Sequence, residues 1–147
     1  MTLLYADTSA LLRAYFEDEP DHARLREQLL EGTDPVVTSE LARVELASAI
    51  RAVTTAGRLR RSAGLILRID DDCAEDGPIA LLRLRADAVL PVAYNLVLEH
   101  RLRTLDAIHL AVALEECPVL AGDDVVVFVT RHEPQAVAAT AVGLSVD

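Results

Sequence analysis

The sequence has no lysine and no tryptophan, only two cysteines, and six residues each of glycine and proline in 147. Each scarcity narrows the possibilities. Cys73 and Cys117 are far apart and outside any Cys-x-x-Cys pattern. They argue against a zinc site and a disulfide scaffold, and for a reducing compartment, the cytoplasm. Both are read as structural. No apolar run approaches the roughly 20 residues of a membrane span. No basic stretch precedes the N-terminal apolar residues, so a signal peptide is not expected either. Aromatics make up 3% of the chain. Platforms for base stacking are therefore few, which disfavours nonspecific single-strand binding. Repeats, linkers and low-complexity segments are missing too. The length suits one domain over residues 1–147 with a proper core.

What is present is apolar and acidic. Hydrophobic residues reach 52%, too many for a disordered chain. All fourteen basic residues are arginine, and the formal charge is −10. That sum repels nucleic acid as a whole, although a local field can differ from the net. A basic partner or a cation suits it better.

Short apolar strands alternate with helical patterns. Strands are expected at residues 3–6, 36–38, 79–84, 125–129 and 144–146. Helices are expected at 10–16, after a cap at Asp21 as far as Gly32, from a Ser39 cap to Thr55, at 60–69, from an Asp87 cap to His100, at 105–116 and at 133–142. The run Asp70-Asp71-Asp72 reads as a loop. The alternation predicts an α/β fold, a doubly wound parallel sheet with helices on both faces. Ligands of such sheets gather beyond the carboxyl ends of the strands.

Asp7 lies just past the first strand, between two apolar runs, and a desolvated carboxylate is costly without a partner. Glu45 falls near Leu41, Ser48 and Ala49 on a helical projection, on or beside the inward stripe. Asp106 occupies the first turn of its helix, where the dipole favours an acid by about 0.3–1 kcal/mol. His109 follows three residues later and reads as a packed core histidine.

Three segments carry a resemblance. They are Tyr5-Ala6-Asp7-Thr8-Ser9-Ala10-Leu11, Leu41-Ala42-Arg43-Val44-Glu45-Leu46 and Leu105-Asp106-Ala107-Ile108-His109-Leu110-Ala111. In order and spacing the chain resembles the PIN-domain ribonucleases, most closely the VapC-type toxins of type II toxin–antitoxin pairs. The resemblance implies a Mg²⁺- or Mn²⁺-dependent endoribonuclease, with Asp7, Glu45 and Asp106 as catalytic residues and metal ligands. Clustered carboxylates repel one another, and a hard divalent cation relieves them through oxygen ligands. Thr8 or Ser9 is expected to fix Asp7. Many relatives carry a Thr-x-Asp after the penultimate strand. Here Thr130-Arg131-His132 stands instead, with Glu133 next, which puts a second ion in doubt. The alternative is a catalytically silent PIN module acting in binding or assembly. A haloacid-dehalogenase-like phosphatase is disfavoured, because Ser9 stands where its second Asp belongs. Asp123 and Asp124 precede their strand, at the wrong end for a site.

The implied partners are an RNA substrate, a cognate antitoxin with a basic tail, and a second copy in a homodimer. Arg13, Arg43, Arg101 and Arg103 are the candidate grips on RNA phosphates. Leu11, Leu12, Tyr15, Phe16, Leu25 and Leu29 are the candidate antitoxin groove or dimer face.

Overall fold

A computed structural model describes residues 1–57 and 62–147. Five strands form one sheet: β1 (Thr2–Ala6), β2 (Val36–Ser39), β3 (Ile79–Leu82), β4 (Val125–Val129) and β5 (Ser145–Val146), in the order β3-β2-β1-β4-β5. Every pairing is parallel. Among the described residues the helices are α1 (Thr8–Tyr15), α2 (His22–Arg26, running into a π turn at Glu27–Glu31), α3 (Leu41–Thr55), α4 (Ser62–Asp72), α5 (Ala86–His100), α6 (Thr104–Ala121) and α7 (Glu133–Ala141). None of the described helices is long and apolar enough to cross a membrane.

The pleat of β1 divides the core in two. Leu3 and Tyr5 face a layer built by α5, α6 and α7, whereas Leu4 and Ala6 face one built by α1 to α4. A strand buried on both faces needs apolar residues at every position, which explains its unbroken run. Both cysteines are unbridged. Burial pushes the Cys117 thiol up to about 12 and that of Cys73 to about 11. Neither is a thiolate nucleophile.

Several expectations need correction. The strand expected at 79–84 ends at Leu82, because β2 offers only Val36–Ser39 as partners. Asp70, Asp71 and Asp72 are helical rather than a loop. Two of them meet partners from other helices: Arg43 pairs with Asp70, and the Tyr15 hydroxyl donates to Asp72 at 2.8 Å. The expected start of that helix at Arg60 lies outside the described residues. Pro118 does not stop α6 near Glu116; the helix continues to Ala121 and ends at Gly122. Asp21 stands at the N-cap of α2 as expected, but with a left-handed backbone and no side-chain cap bond, and Asp87 lies inside α5 rather than capping it.

The proposed apolar groove on α1 and α2 is also corrected. Leu11, Tyr15, Phe16, Leu25 and Leu29 are 0–8% exposed. They fill the core beneath those helices, each burial contributing about 1.5–3 kcal/mol. Of the six, Leu12 alone is half-exposed.

Candidate functional site

Asp7 is built into the junction of β1 and α1. Its amide donates to the Val129 carbonyl at 2.9 Å, which extends the β1–β4 ladder by one residue. Its side chain then caps α1. Oδ2 accepts from the Ser9 amide at 3.0 Å and the Ser9 hydroxyl at 2.6 Å. Two donors on one oxygen hold the carboxylate in place and repay its desolvation. Of the two candidates to fix Asp7, Ser9 is therefore the residue that does so; Thr8 donates to Glu45 Oε1 at 3.0 Å.

The other Asp7 oxygen meets a residue that sequence reasoning missed. Gln135 on α7 is fully buried. Its amide nitrogen donates to Asp7 Oδ1 and to the Asp106 carbonyl, both at 3.1 Å. The Thr130 hydroxyl donates to Gln135 Oε1 at 2.7 Å. One amide thus ties the end of β1 to the start of α6, and β4 orients that amide. The available signal was a lone Gln in an otherwise small and apolar helix.

Glu45 projects from α3 beside the buried stripe Ala42, Leu46 and Ile50. Its Oε1 lies 2.5 Å from His109 Nε2. His109 is 1% exposed, and its Nδ1 lies 2.8 Å from the Tyr5 hydroxyl. Burial alone would lower the pKa of this imidazole. The Glu45 hydrogen bond and the charges of Asp7, Glu45 and Asp106 outweigh burial and raise it. His109 is thus a buried ring, packed as expected, that also bridges Glu45 and Tyr5.

Asp106 sits in the first turn of α6, half-buried. Its pKa is raised, first by desolvation and then by the charges of Asp7 and Glu45, against the opposing pull of His132 and His109. His132 Nδ1 stands 3.1 Å from Asp106 Oδ2. That approach is electrostatic, because the nitrogen forms no hydrogen bond.

Asp7, Glu45 and Asp106 line one open cleft of about 610 Å³, together with Thr8, Ser9, Arg103, Arg131 and His132. The cleft opens beyond the carboxyl ends of β1 and β4, at the point where the sheet winds outward in opposite directions. As they stand, no three His, Cys, Asp or Glu side chains among the described residues form a group that could hold a metal ion. Glu45 is held by His109 and Thr8 instead. The donor chemistry nevertheless fits a hard cation: carboxylates from three separate elements face shared space, and oxygen ligands suit such an ion.

The arginines divide. Arg103 lines the cleft, and Arg13 lines an adjoining groove of about 330 Å³ between α1 and α3. Arg43 faces away and pairs with Asp70, while Arg101 ends α5 outside the cleft lining. Arg131 was not anticipated. It lines both spaces but is held by Asp21 at 3.1 Å and Asp147 at 3.3 Å. Asp124 pairs with the N-terminal amine at 3.4 Å, at the opposite end of the sheet, as expected. Glu133 does not line the cleft.

A protein-family model described as PIN domain matches residues 4–126. The match covers Asp7, Glu45 and Asp106 and stops inside β4, short of Thr130, His132 and Gln135. No curated protein matches the chain.

Proposed function

The chain belongs to the PIN domain family, and from that membership and its cleft we propose that it is a metal-dependent endoribonuclease, the toxin of a type II toxin–antitoxin pair. Domains of this family are generally metal-dependent nucleases. The observation that carries the reading is the convergence of Asp7, Glu45 and Asp106 on one open cleft at the strand ends.

Asp7 and Asp106 would hold Mg²⁺ or Mn²⁺, with Glu45 joining directly or through water. When bound, such an ion draws charge from a phosphodiester oxygen and from an attacking water. The chain's own residues do the rest. Ser9 and Gln135 keep Asp7 aimed into the cleft. His109 and Thr8 set the reach of Glu45. Arg103 and Arg13 grip flanking phosphates, for which guanidinium geometry is suited. The acidity of the whole chain, −10, suits a basic antitoxin tail laid across the cleft. The reading takes residues 1–147 as one domain working in the cytoplasm, where two unbridged cysteines are at home.

A second reading keeps the fold and drops the chemistry. His132 against Asp106, with Glu45 tied to His109, favours a silent module that binds without cutting. One experiment separates the two. Purified protein is incubated with total RNA with and without Mn²⁺, beside an Asp7→Asn variant. Cutting that requires both the ion and Asp7 supports the nuclease. Intact RNA in every lane, with folded protein, supports the silent module.

A further inference from the structure

The ring of His132 has no evident task in the fold. It stands at the N-cap of α7, a position that favours Ser, Thr, Asp or Asn, and its side chain makes no cap bond. The backbone, by contrast, is fixed: the His132 amide donates to the Thr130 hydroxyl at 3.1 Å. That bond sets the residue at the cleft, which it lines. Nδ1 is shut off from water and, among the described residues, has no hydrogen-bond partner. A buried polar nitrogen without a partner calls for a reason.

The neighbouring acid supplies one. Asp106 Oδ2 lies 3.1 Å from this nitrogen, yet the two form no hydrogen bond. Two ligands of a common ion stand in that relation. Small divalent ions hold oxygen and nitrogen ligands at about 2.0–2.2 Å, so ligands at a right angle are about 3 Å apart, each aimed at the ion and not at the other. The donors facing the cleft are mixed: an imidazole nitrogen at the start of α7, and carboxylates from the β1–α1 junction, α3 and α6. The set is still open, because no three such side chains are gathered among the described residues. An ion at the His132–Asp106 pair would close it with Asp7 or with water.

We propose that His132 Nδ1 and Asp106 Oδ2 together ligate the divalent ion of the cleft, and that the imidazole makes the site prefer Mn²⁺, and more strongly Co²⁺ or Ni²⁺, to Mg²⁺. The preference presupposes the metal-dependent reading of the cleft. Mg²⁺ sheds its water reluctantly and takes oxygen ligands. Imidazole suits the later first-row ions, whose affinity for a nitrogen–oxygen site climbs from Mn²⁺ to Ni²⁺. The alternative is a charge pair, in which His132 neutralises Asp106 and competes with the ion. The two accounts differ in sign. Removing a ligand weakens ion binding, whereas removing a competitor strengthens it.

Isothermal titration of the metal-free full chain with Mg²⁺, Mn²⁺ and Co²⁺, at one pH and without RNA, separates them. The wild type should bind Co²⁺ most tightly, then Mn²⁺, then Mg²⁺. His132→Ala should weaken Co²⁺ binding by about 10–100-fold or more, the loss that even a residue orienting a ligand produces. Mg²⁺ binding should weaken far less. His132→Asp should bind Mg²⁺ more tightly than the wild type and flatten the order. His100→Asn, outside the cleft lining, should bind as the wild type does. The visible spectrum of the Co²⁺ complex, which responds to nitrogen ligation, should change in His132→Ala and not in His100→Asn. Unchanged or tighter Co²⁺ binding in His132→Ala would overturn the proposal in favour of the charge pair. A wild type that binds Mg²⁺ as tightly as Co²⁺ would overturn it too, while RNA cutting that needs Asp7 and Mg²⁺ would leave the nuclease standing. Binding of none of the three ions would overturn both.

Discussion

His109 Nε2 stands 2.5 Å from Glu45 Oε1, and the other nitrogen of the same ring stands 2.8 Å from the Tyr5 hydroxyl. A chain of polar contacts thus runs from the centre of β1, across α6, to an acid on α3. Its interior members are nearly inaccessible to water. Removing the ring would leave a buried hydroxyl without its partner, at about 1–3 kcal/mol. His109→Leu should therefore destabilise the fold more than Tyr5→Phe, which deletes one bond and costs about 0.5–1.5 kcal/mol. The two changes should couple by about 0.5–3 kcal/mol in a double-mutant cycle. Urea unfolding of the four proteins provides the measurement. Simple additivity would mean that the contact contributes nothing of its own.

The same ring makes stability depend on pH. Its folded pKa is raised above the ordinary histidine value. It therefore contributes stability that is fully present below about pH 6.5 and is lost as pH rises through the folded value. Asp147 works in the opposite sense. Desolvation raises its pKa, but hydrogen bonds from Arg24 and Gln28 and the charges of Arg24 and Arg131 lower it overall. Its contribution is present above the ordinary carboxylate value and is lost as pH falls through the folded one. Melting without divalent ions should thus show a decline on the alkaline side that His109→Leu flattens. On the acid side it should show a decline that Asp147→Asn reduces. If the alkaline decline survives in His109→Leu, some other group is responsible.

Asp7 has two separable duties, capping α1 and presenting a charge. Asn caps a helix about as well as Asp, whereas Ala does not. Asp7→Asn keeps the cap but sets its amide nitrogen against that of Gln135, so it should lose about 0.5–1.5 kcal/mol, while Asp7→Ala should lose about 1 kcal/mol more with the cap. Both should lose Mn²⁺-dependent RNA cutting. Thermal melts and a cleavage assay on the same preparations check this. An Asn variant that cuts RNA at the wild-type rate would remove Asp7 from the chemistry.

Gln135 is the clip between Asp7 and the start of α6. Gln135→Leu keeps the volume and deletes the bonds to Asp7, Thr130 and the Asp106 carbonyl. Groups left unsatisfied cost about 1–3 kcal/mol each, so a loss of several kcal/mol is expected. Gln135→Glu places a further carboxylate against Asp7 and should impair stability unless a divalent ion is supplied. Urea unfolding with and without Mn²⁺ distinguishes these effects. No response of Gln135→Glu to the ion would show that the clip does not communicate with the acids.

Some of this was legible in the sequence and some was not, for physical reasons. The parallel sheet could be read because each strand is a short run of β-prone apolar residues between helical periods. Asp7, Glu45 and Asp106 could be singled out because a charge beside an apolar stripe needs a reason. Gln135 offers only the faint sign of a lone Gln among small residues, and the polar contacts of Thr130 and Tyr5 offer none. Each is a polar group satisfied by a partner more than a hundred positions away or in a neighbouring element, and periodicity carries no trace of that partner. The helical state of Asp70, Asp71 and Asp72 was hidden likewise, because Arg43 and Tyr15 answer two of those charges from other helices. The groove assigned to α1 and α2 failed for the opposite reason. Apolar residues at helical spacing look alike whether they face a core or a partner, and only the packing tells them apart.

The strand order has a consequence for synthesis. β4, last but one along the chain, pairs with β1, the first. The amide of Asp7 waits for the Val129 carbonyl, and its side chain waits for Gln135. A ribosome that has released only the first six helices has therefore exposed every acid of the cleft without assembling it. The cleft is complete only when the segment carrying β4 and α7 docks against β1.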